Sequence, residues 1–260
     1  MNLLETKDLT RSFDGVVAVN KVCFQVEEGL ITGLIGPNGA GKTTLFNNIT
    51  GLDVPTSGSV FFDGKDITGL PADIISRLGI SRTFQNIRLF RELSVIDNVM
   101  VGRHFKTRKH HGILGVTDSL IHLRKEMKKL YEEASEYLNF LNLYEFRNEM
   151  AGSLPYGHQR ELEIARALAC EPKLLFLDEP AAGMNPQETE SLMKTIRRIR
   201  DTGISIVLIE HDMKLVMNIC DSITVLNYGE KIAQGTAQDI KNDPTVIEAY
   251  LGNDFSGGIN

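Results

Sequence analysis

Through the first 35 residues apolar and polar positions alternate, broken by the turn pairs Asp14-Gly15 and Glu28-Gly29. A period of two marks half-buried strands, and it predicts strands near 3–9, 20–26 and 31–35. The run Leu30-Ile31-Thr32-Gly33-Leu34-Ile35 then passes through a glycine-rich segment into a helix-like stretch from Thr43 to Gly51. After the turn Pro55-Thr56-Ser57-Gly58 come a short strand at Ser59 to Phe62 and the Asp63-Gly64 turn. A helix near 72–78 and a strand at Gly79 to Phe84 come next.

From about 86 to 165 the pattern turns helical. Leu120, Leu123, Met127, Leu130, Ala134, Leu138 and Leu141 recur at intervals of three or four, which places them on one face of an amphipathic helix. Ahead of them, the basic stretch Arg103 to His111 reads as a solvated loop. Strand–helix alternation then resumes. Buried strands are expected at Leu174 to Leu177 and Ile204 to Ile209, and further strands at Ile223 to Leu226 and Lys231 to Ala233. Helices are expected at Pro186 to Arg200, Asp212 to Ile219 and Pro244 to Leu251, with a frayed tail over 254–260. Such alternation implies a mainly parallel sheet covered on both faces.

Composition narrows the class. At 260 residues the chain can bury a substantial core, as one large domain or as one domain with an inserted lobe. The net charge of −6 argues against a general nucleic-acid footprint. No apolar stretch reaches the roughly 18 residues of a membrane-crossing helix. The start, Met1 to Asp8, lacks the charged onset and long apolar run of a secretory leader. Cys23, Cys170 and Cys220 form no CxxC pair and sit among apolar residues, so they read as small buried hydrophobes in a reducing compartment. His104, His110, His111 and His122 read as surface residues, with no acidic or thiol partner near the His110-His111 pair.

The sharpest chemistry lies in Gly36-Pro37-Asn38-Gly39-Ala40-Gly41-Lys42-Thr43-Thr44, between an apolar strand and a helix. Glycines let successive backbone N–H groups converge on one anion, and the positive end of the adjoining helix adds to the attraction. Lys42 suits the β- and γ-phosphates of a nucleotide, and the Thr43 hydroxyl suits Mg²⁺. Leu174-Leu175-Phe176-Leu177 ends in Asp178 and Glu179. Alternation along a strand turns these two acids in different directions, which allows Asp178 to hold Mg²⁺ and Glu179 to polarise an attacking water. Alone, the pair also reads as a helix cap ahead of Pro180. Gln85, just after a strand, can reach the metal or the water, or can be a satisfied loop amide. His211, just after another strand, can bond a γ-phosphate or cap the next helix.

These segments in this order resemble the ATP-binding domain of ABC transporters, over about residues 3 to 252. The diagnostic segment runs from Ser153 to Leu168 and includes Leu154-Pro155-Tyr156-Gly157-His158, in the place of the family's LSGGQ signature. The resemblance implies a P-loop ATPase core with a mainly parallel sheet, an N-terminal antiparallel β lobe and an inserted helical lobe over about 86–165, all in a single domain of residues 1–260. It implies ATP and Mg²⁺, with Asn38, Gly39, Gly41, Lys42, Thr43 and Thr44 at the phosphates and Phe13 stacked on adenine. Without the resemblance, Phe13 reads as a core aromatic. It also implies Thr43, Gln85 and Asp178 at the metal, Tyr156 and Gly157 as signature amides, and Lys42, Gln85, Glu179 and His211 in the hydrolytic step. Ala182 to Asn185 fall at the D-loop. Pro155, Tyr156, His158 and Asn185 depart from the family pattern, so the serine hydroxyl of the signature is missing.

Within the family, the segments Arg82 to Phe90, Leu177 to Pro186, Ile209 to Val216 and Ala249 to Gly252 resemble the ATP-binding subunit of branched-chain amino-acid importers. Lipopolysaccharide-export and urea-import ATPases, and a regulatory ABC protein without transport, are the alternatives. The implied partners are transmembrane permease subunits and a second ATP-binding chain, identical or related. An external substrate-binding protein is an indirect partner, nucleic acid is not expected, and the implied location is the cytoplasmic face of the cell membrane. Asn86 to Met100 is the expected groove for the permease, with Arg88, Leu89 and Phe90 its candidate contacts. An ordinary packed loop is the other reading of that stretch.

Overall fold

The computed structural model describes residues 2–107 and 116–251, in two compact units. One unit is Met1–Ile80 with Lys173–Asn260, and the other is Ser81–Pro172. The strands are β1 (Asn2–Phe13), β2 (Val16–Val22), β3 (Gln25–Glu27), β4 (Ile31–Ile35), β5 (Ser57–Phe62), β6 (Lys65–Asp66), β7 (Ile80–Arg82), β8 (Leu174–Asp178), β9 (Ser205–Ile209), β10 (Ser222–Asn227) and β11 (Glu230–Gly235). The α-helices are α1 (Lys42–Ile49), α2 (Ala72–Leu78), α3 (Val95–Thr107), α4 (Val116–Phe140), α5 (Tyr156–Leu168), α6 (Pro186–Asp201), α7 (Met213–Ile219), α8 (Ala237–Asn242) and α9 (Pro244–Leu251).

The N-terminal sheet is antiparallel, in the order β2-β1-β5-β6 with β3 also on β1. Strand β1 runs past the expected end at residue 9. A left-handed Asp8 and register shifts after Lys7 and Leu9 bend it while pairing continues, and that bend interrupts the period-two pattern. The single strand expected over 20–26 is two strands, because Lys21 is left-handed (φ 46°) and the chain leaves the ladder at Cys23.

The second sheet has the order β11-β10-β4-β9-β8-β7. The pairs β10–β4, β4–β9 and β9–β8 are parallel, and β11 closes the edge antiparallel to β10. Every residue of β4, β8 and β9 is buried, as strands covered on both faces require. Register matters most here. Ile209 lies opposite Leu34 on one side and Asp178 on the other. The segments after β4, β8 and β9 therefore leave the sheet at one edge, side by side. Helix α1 is seated on β8 by Phe46 and Phe176, whose rings meet edge to face at 4.7 Å, a contact worth about 1 kcal/mol beyond its buried area.

In the second unit, α4 buries Leu130, Ala134 and Leu138, with Leu141 just beyond its end. Met127, expected on the same stripe, is 46% exposed. Helix α3 has no counterpart in the sequence reading. Its buried residues Val95, Ile96 and Val99 sit too close together to show a long period. Arg103 belongs to α3 and is not part of a loop. Its guanidinium is nearly buried and bonds Glu133 and Glu171, each at 2.6 Å. Residues 108–111, with His110 and His111, lie outside the described residues, as does the tail 254–260. The side chains of His104 and His122 are likewise not described. Among the described residues no helix is long and apolar enough to cross a membrane.

The cysteines differ from one another. Cys23 is exposed, because it sits in the break between β2 and β3 rather than in a strand, and its thiol faces Asp8. Cys170 and Cys220 are partly buried. A Cβ on Gly33 would lie 3.0 Å from the Cys220 sulfur, so that side chain is pressed onto the central strand. Burial, reinforced by Asp221 and Glu210, pushes the Cys220 thiol up to about 12. In the folded chain at pH 8, a thiol-specific label should therefore modify Cys23 first and leave Cys220 intact until denaturant is added. Mass spectrometry showing Cys220 labelled as fast as Cys23 would contradict this packing.

Candidate functional site

The phosphate loop departs from β4 and is shaped by two glycines. Gly41, the N-cap of α1, has φ 97°, and a Cβ there would fall 2.4 Å from the Ala18 carbonyl oxygen. A Cβ on Gly36 would fall 2.1 Å from the Leu226 carbonyl oxygen. Neither position admits another residue without moving backbone. Asn38, Gly39 and Thr43 are exposed along the rim, and Thr44 is partly exposed. The first-turn amides of α1 have no partner within the helix, so the loop and helix end present N–H groups to solvent. The turn between β10 and β11 supports the loop from behind, with the Gly229 amide donating to the Ala40 carbonyl at 3.0 Å. Lys42 is buried, and its Nζ donates to the carbonyls of Gly36 (2.6 Å) and Pro37 (2.9 Å). Burial holds its pKa below the ordinary lysine value, while the charges of Glu179 and Asp178 pull it back up.

At the end of β8, Asp178 is buried in the ladder, whereas Glu179 is not a strand residue. Glu179 has φ 47°, a left-handed conformation that costs about 1–2 kcal/mol outside glycine. The expected alternation of the two acids along a strand is therefore replaced by a sharp turn, which separates them by a change of backbone conformation. The Glu179 amide donates to the Ile209 carbonyl at 2.9 Å. His211, after β9, places Nε2 2.6 Å from Glu179 Oε1. An ionised carboxylate only accepts, so the imidazole N–H donates. His211 does not cap α7. That role belongs to Asp212, whose side chain accepts from the Leu215 amide at 3.1 Å.

Lys42, Asp178, Glu179 and His211 thus gather at the edge where β4, β8 and β9 end. Phe13 ends β1 and is 43% exposed, so it is not a core aromatic. The Arg11 guanidinium lies 4.3 Å from its ring centre. Asn185 caps α6. Its side chain accepts from the Gln187 and Glu188 amides while Glu188 accepts from the Asn185 amide.

Gln85, Tyr156 and Gly157 belong to the second unit and are described within it. Gln85 is exposed and lies just past β7. Pro155 is the N-cap of α5, and the departure from serine gives that helix a fixed φ of −53° without a capping side chain. Tyr156 is 45% exposed, and His158 stacks obliquely on Phe146 at 4.9 Å. One turn further along lies a pair that the sequence did not reveal. Arg160 and Glu163 are almost completely buried and bond each other at 3.3 Å. Arg160 donates to the carbonyls of Phe84 (2.6 Å) and Gln85 and approaches the Tyr156 hydroxyl at 3.3 Å. Glu163 accepts from the Arg88 amide at 3.2 Å. The signature helix therefore holds the backbone of residues 84–88. The buried side chain of Asn98 fixes the next turn of chain, exchanging bonds with the Phe90 amide and the carbonyls of Phe90 and Ser94. Beyond that clamp, Arg88 is exposed, and so is Phe90. In sequence, Arg160 and Glu163 look like ordinary surface charges of an amphipathic helix, and nothing short of contact shows otherwise.

The fold and this constellation agree with comparisons to known proteins. A family model for ABC transporters matches residues 19–182, and one for branched-chain amino acid ATP-binding cassette transporters matches residues 230–256. The branched-chain amino acid transport ATP-binding protein BraF of Pseudomonas aeruginosa is 47% identical over 96% of this chain and 98% of its own. LivG of Escherichia coli, a transport ATP-binding protein of the same description, is 45% identical over the same shares. A crystal structure of a nucleotide-free ATP-binding cassette superposes with a TM-score of 0.83 at 33% identity, covering 96% of this chain and 99% of that one. The chain belongs to the ABC transporter family, as an ATP-binding cassette.

Replacing Arg160 with Met leaves the Glu163 carboxylate buried without its partner. Urea denaturation should show a loss of about 3–5 kcal/mol for Arg160→Met, with a substantial part recovered in the double variant Arg160→Met/Glu163→Leu. Equal stability of Arg160→Met and the parent would contradict the buried clamp.

Proposed function

We propose that this chain is the ATP-hydrolysing subunit of an importer of branched-chain amino acids. The observation that carries the hydrolytic half is the 2.6 Å contact between Glu179 and His211, set beside the phosphate loop by the register of β4, β8 and β9. The substrate half is supported by the descriptions of BraF and LivG and by the match of the C-terminal family model. The lipopolysaccharide-export protein LptB of E. coli is more distant, at 34% identity.

In this reading the amides of Gly39, Gly41, Lys42, Thr43 and Thr44, with Asn38 on the rim, wrap the phosphates. Lys42 gives up its bonds to Gly36 and Pro37 to meet the γ-phosphate. Phe13 stacks on adenine. Glu179 orients the attacking water, and His211 holds the carboxylate before bonding the γ-phosphate.

The residues present also fit Mg²⁺. Asp178 and the Thr43 hydroxyl are oxygen donors, and the charge of Asp178 is felt at Lys42. No group of three or more His, Cys, Asp or Glu side chains is placed to hold a metal ion among the described residues. That donor set suits an ion held by one carboxylate together with substrate phosphates. Asp178 and Thr43 would hold it there. Once bound, it would supply neutralisation of phosphate charge.

One phosphate loop and one signature segment per chain support pairing with a second ATP-binding chain, in which the Tyr156 and Gly157 amides would face the partner's nucleotide. A cassette solved as a dimer bound to ADP and phosphate superposes with a TM-score of 0.75 at 25% identity, covering 90% of this chain and 98% of that one. Exposed Arg88 and Phe90, on a backbone held by Arg160 and Asn98, support a docking surface for a permease at the cytoplasmic face of the membrane.

Glu179→Gln should keep nucleotide affinity within a few-fold while lowering ATP turnover by about 10²–10⁴. A phosphate-release assay on the complex with its membrane partners, paired with a fluorescent-nucleotide titration, reads both quantities. Parental turnover in that variant would contradict the assignment of Glu179.

A further inference from the structure

Glu210 stands between Ile209 of β9 and His211, yet its side chain does not face solvent. It is 4% exposed, and an acid with so little solvent contact needs partners. Its partners are backbone amides from two different loops. Oε1 accepts from the Ala181 amide at 2.7 Å, and Oε2 accepts from the His211 amide at 3.1 Å. The Asp212 amide also bonds this carboxylate. Ala181 lies two residues beyond Glu179, across the gap between the ends of β8 and β9.

Four observations converge on a single role. Glu179 is held in a left-handed conformation, one residue beyond the end of β8, with its amide on the Ile209 carbonyl. His211 lies beyond the end of β9 and contributes nothing to the cap of α7. The two side chains nonetheless meet at 2.6 Å. The buried group that bonds both loops is the Glu210 carboxylate.

We propose that Glu210 is a positioning residue for ATP hydrolysis, holding the Glu179 loop and the His211 loop in one register so that base and histidine stay in contact. Glu210 makes its contacts with backbone amides, at Ala181, His211 and Asp212. It acts through the backbone at Ala181 and His211. A carboxylate fits this task because both oxygens accept, whereas an amide of equal size turns a donor toward one of the N–H groups. The same carboxylate also ties Ala181, the residue just before the D-loop segment Ala182 to Asn185, to the histidine, so that displacement of one is felt at the other.

The proposal rests on the reading of Glu179 as the group that orients water, and the test separates the two. Steady-state ATP hydrolysis by the complex is measured for the parent, Glu210→Gln, Glu210→Asp and Glu179→Gln, with thermal unfolding and nucleotide affinity of each full-length chain. Misplacement of a reacting group by a fraction of an ångström to 1 Å costs up to about a hundredfold in rate. Glu210→Gln should lower kcat by about ten- to a hundredfold, with KM for ATP and nucleotide affinity within about twofold and the unfolding midpoint nearly unchanged. Glu210→Asp keeps both acceptors on a shorter stem and should fall between parent and Gln.

Parental kcat in Glu210→Gln, with Glu179→Gln inactive, overturns this proposal alone. So does a loss in which kcat, affinity and unfolding midpoint fall together, which is what a purely structural acid would give. Full turnover in Glu179→Gln overturns the reading of the base, and with it the proposal.

Discussion

The parallel pairing of β9 with β4 on one side and β8 on the other is the constraint on which the site depends. Ile209 is opposite Leu34 and Asp178 at once, so three chain segments leave the sheet side by side, the middle one a single strand spacing from each neighbour. Strands in a sheet lie about 4.8 Å apart, which is the reach of a side chain. That spacing lets the histidine after β9 bond an acid after the adjacent β8, while the long side chain of Lys42, two spacings from β8, feels the charges of Glu179 and Asp178. A shift of one residue in either pairing would turn every side chain of the strand to its other face and disperse the group.

The backbone around this edge departs from ordinary geometry at residues to which the proposed mechanism gives roles. Gly36 and Gly41 are packed so closely against Leu226 and Ala18 that no side chain fits. Glu179 adopts a left-handed conformation although it is not glycine. Such departures persist only where the surroundings over-determine them. Here the surroundings are the β10–β11 turn behind the phosphate loop, the Ile209 carbonyl and the Glu210 carboxylate. The sheet edge thus has its polar groups already placed, the arrangement that the proposed phosphoryl transfer calls for.

Much of this was legible in the residues alone, and the part that was not has a common cause. The glycine-rich loop, the strand that ends at Asp178 with Glu179 just beyond it, and the position of His211 are local patterns, and local patterns survive translation into structure. Helices α2 and α9 match their expected bounds because proline and glycine punctuate them. Arg160, Glu163, Arg103 and Glu210 were invisible as functional or core residues because charge in a sequence reads as solvent exposure. Each is instead buried or nearly so beside a partner distant in sequence. Cys23 erred in the opposite direction, since apolar neighbours do not guarantee burial where the ladder breaks. Alternation does not separate the two acids, for a conformational reason: the strand ends at Asp178, one residue sooner than alternation requires.

In the proposed mechanism a triphosphate is held by the amides of Gly39, Gly41, Lys42, Thr43 and Thr44 and by the Lys42 side chain, beside Glu179 and His211. Titration of the full-length chain with a fluorescent ATP analogue and magnesium, for the parent and for Lys42→Ala, tests that placement most directly. Lys42→Ala should stay folded by circular dichroism and bind nucleotide at least about tenfold more weakly, a difference of roughly 1.4 kcal/mol or more. A folded Lys42→Ala chain with the parental Kd would contradict it.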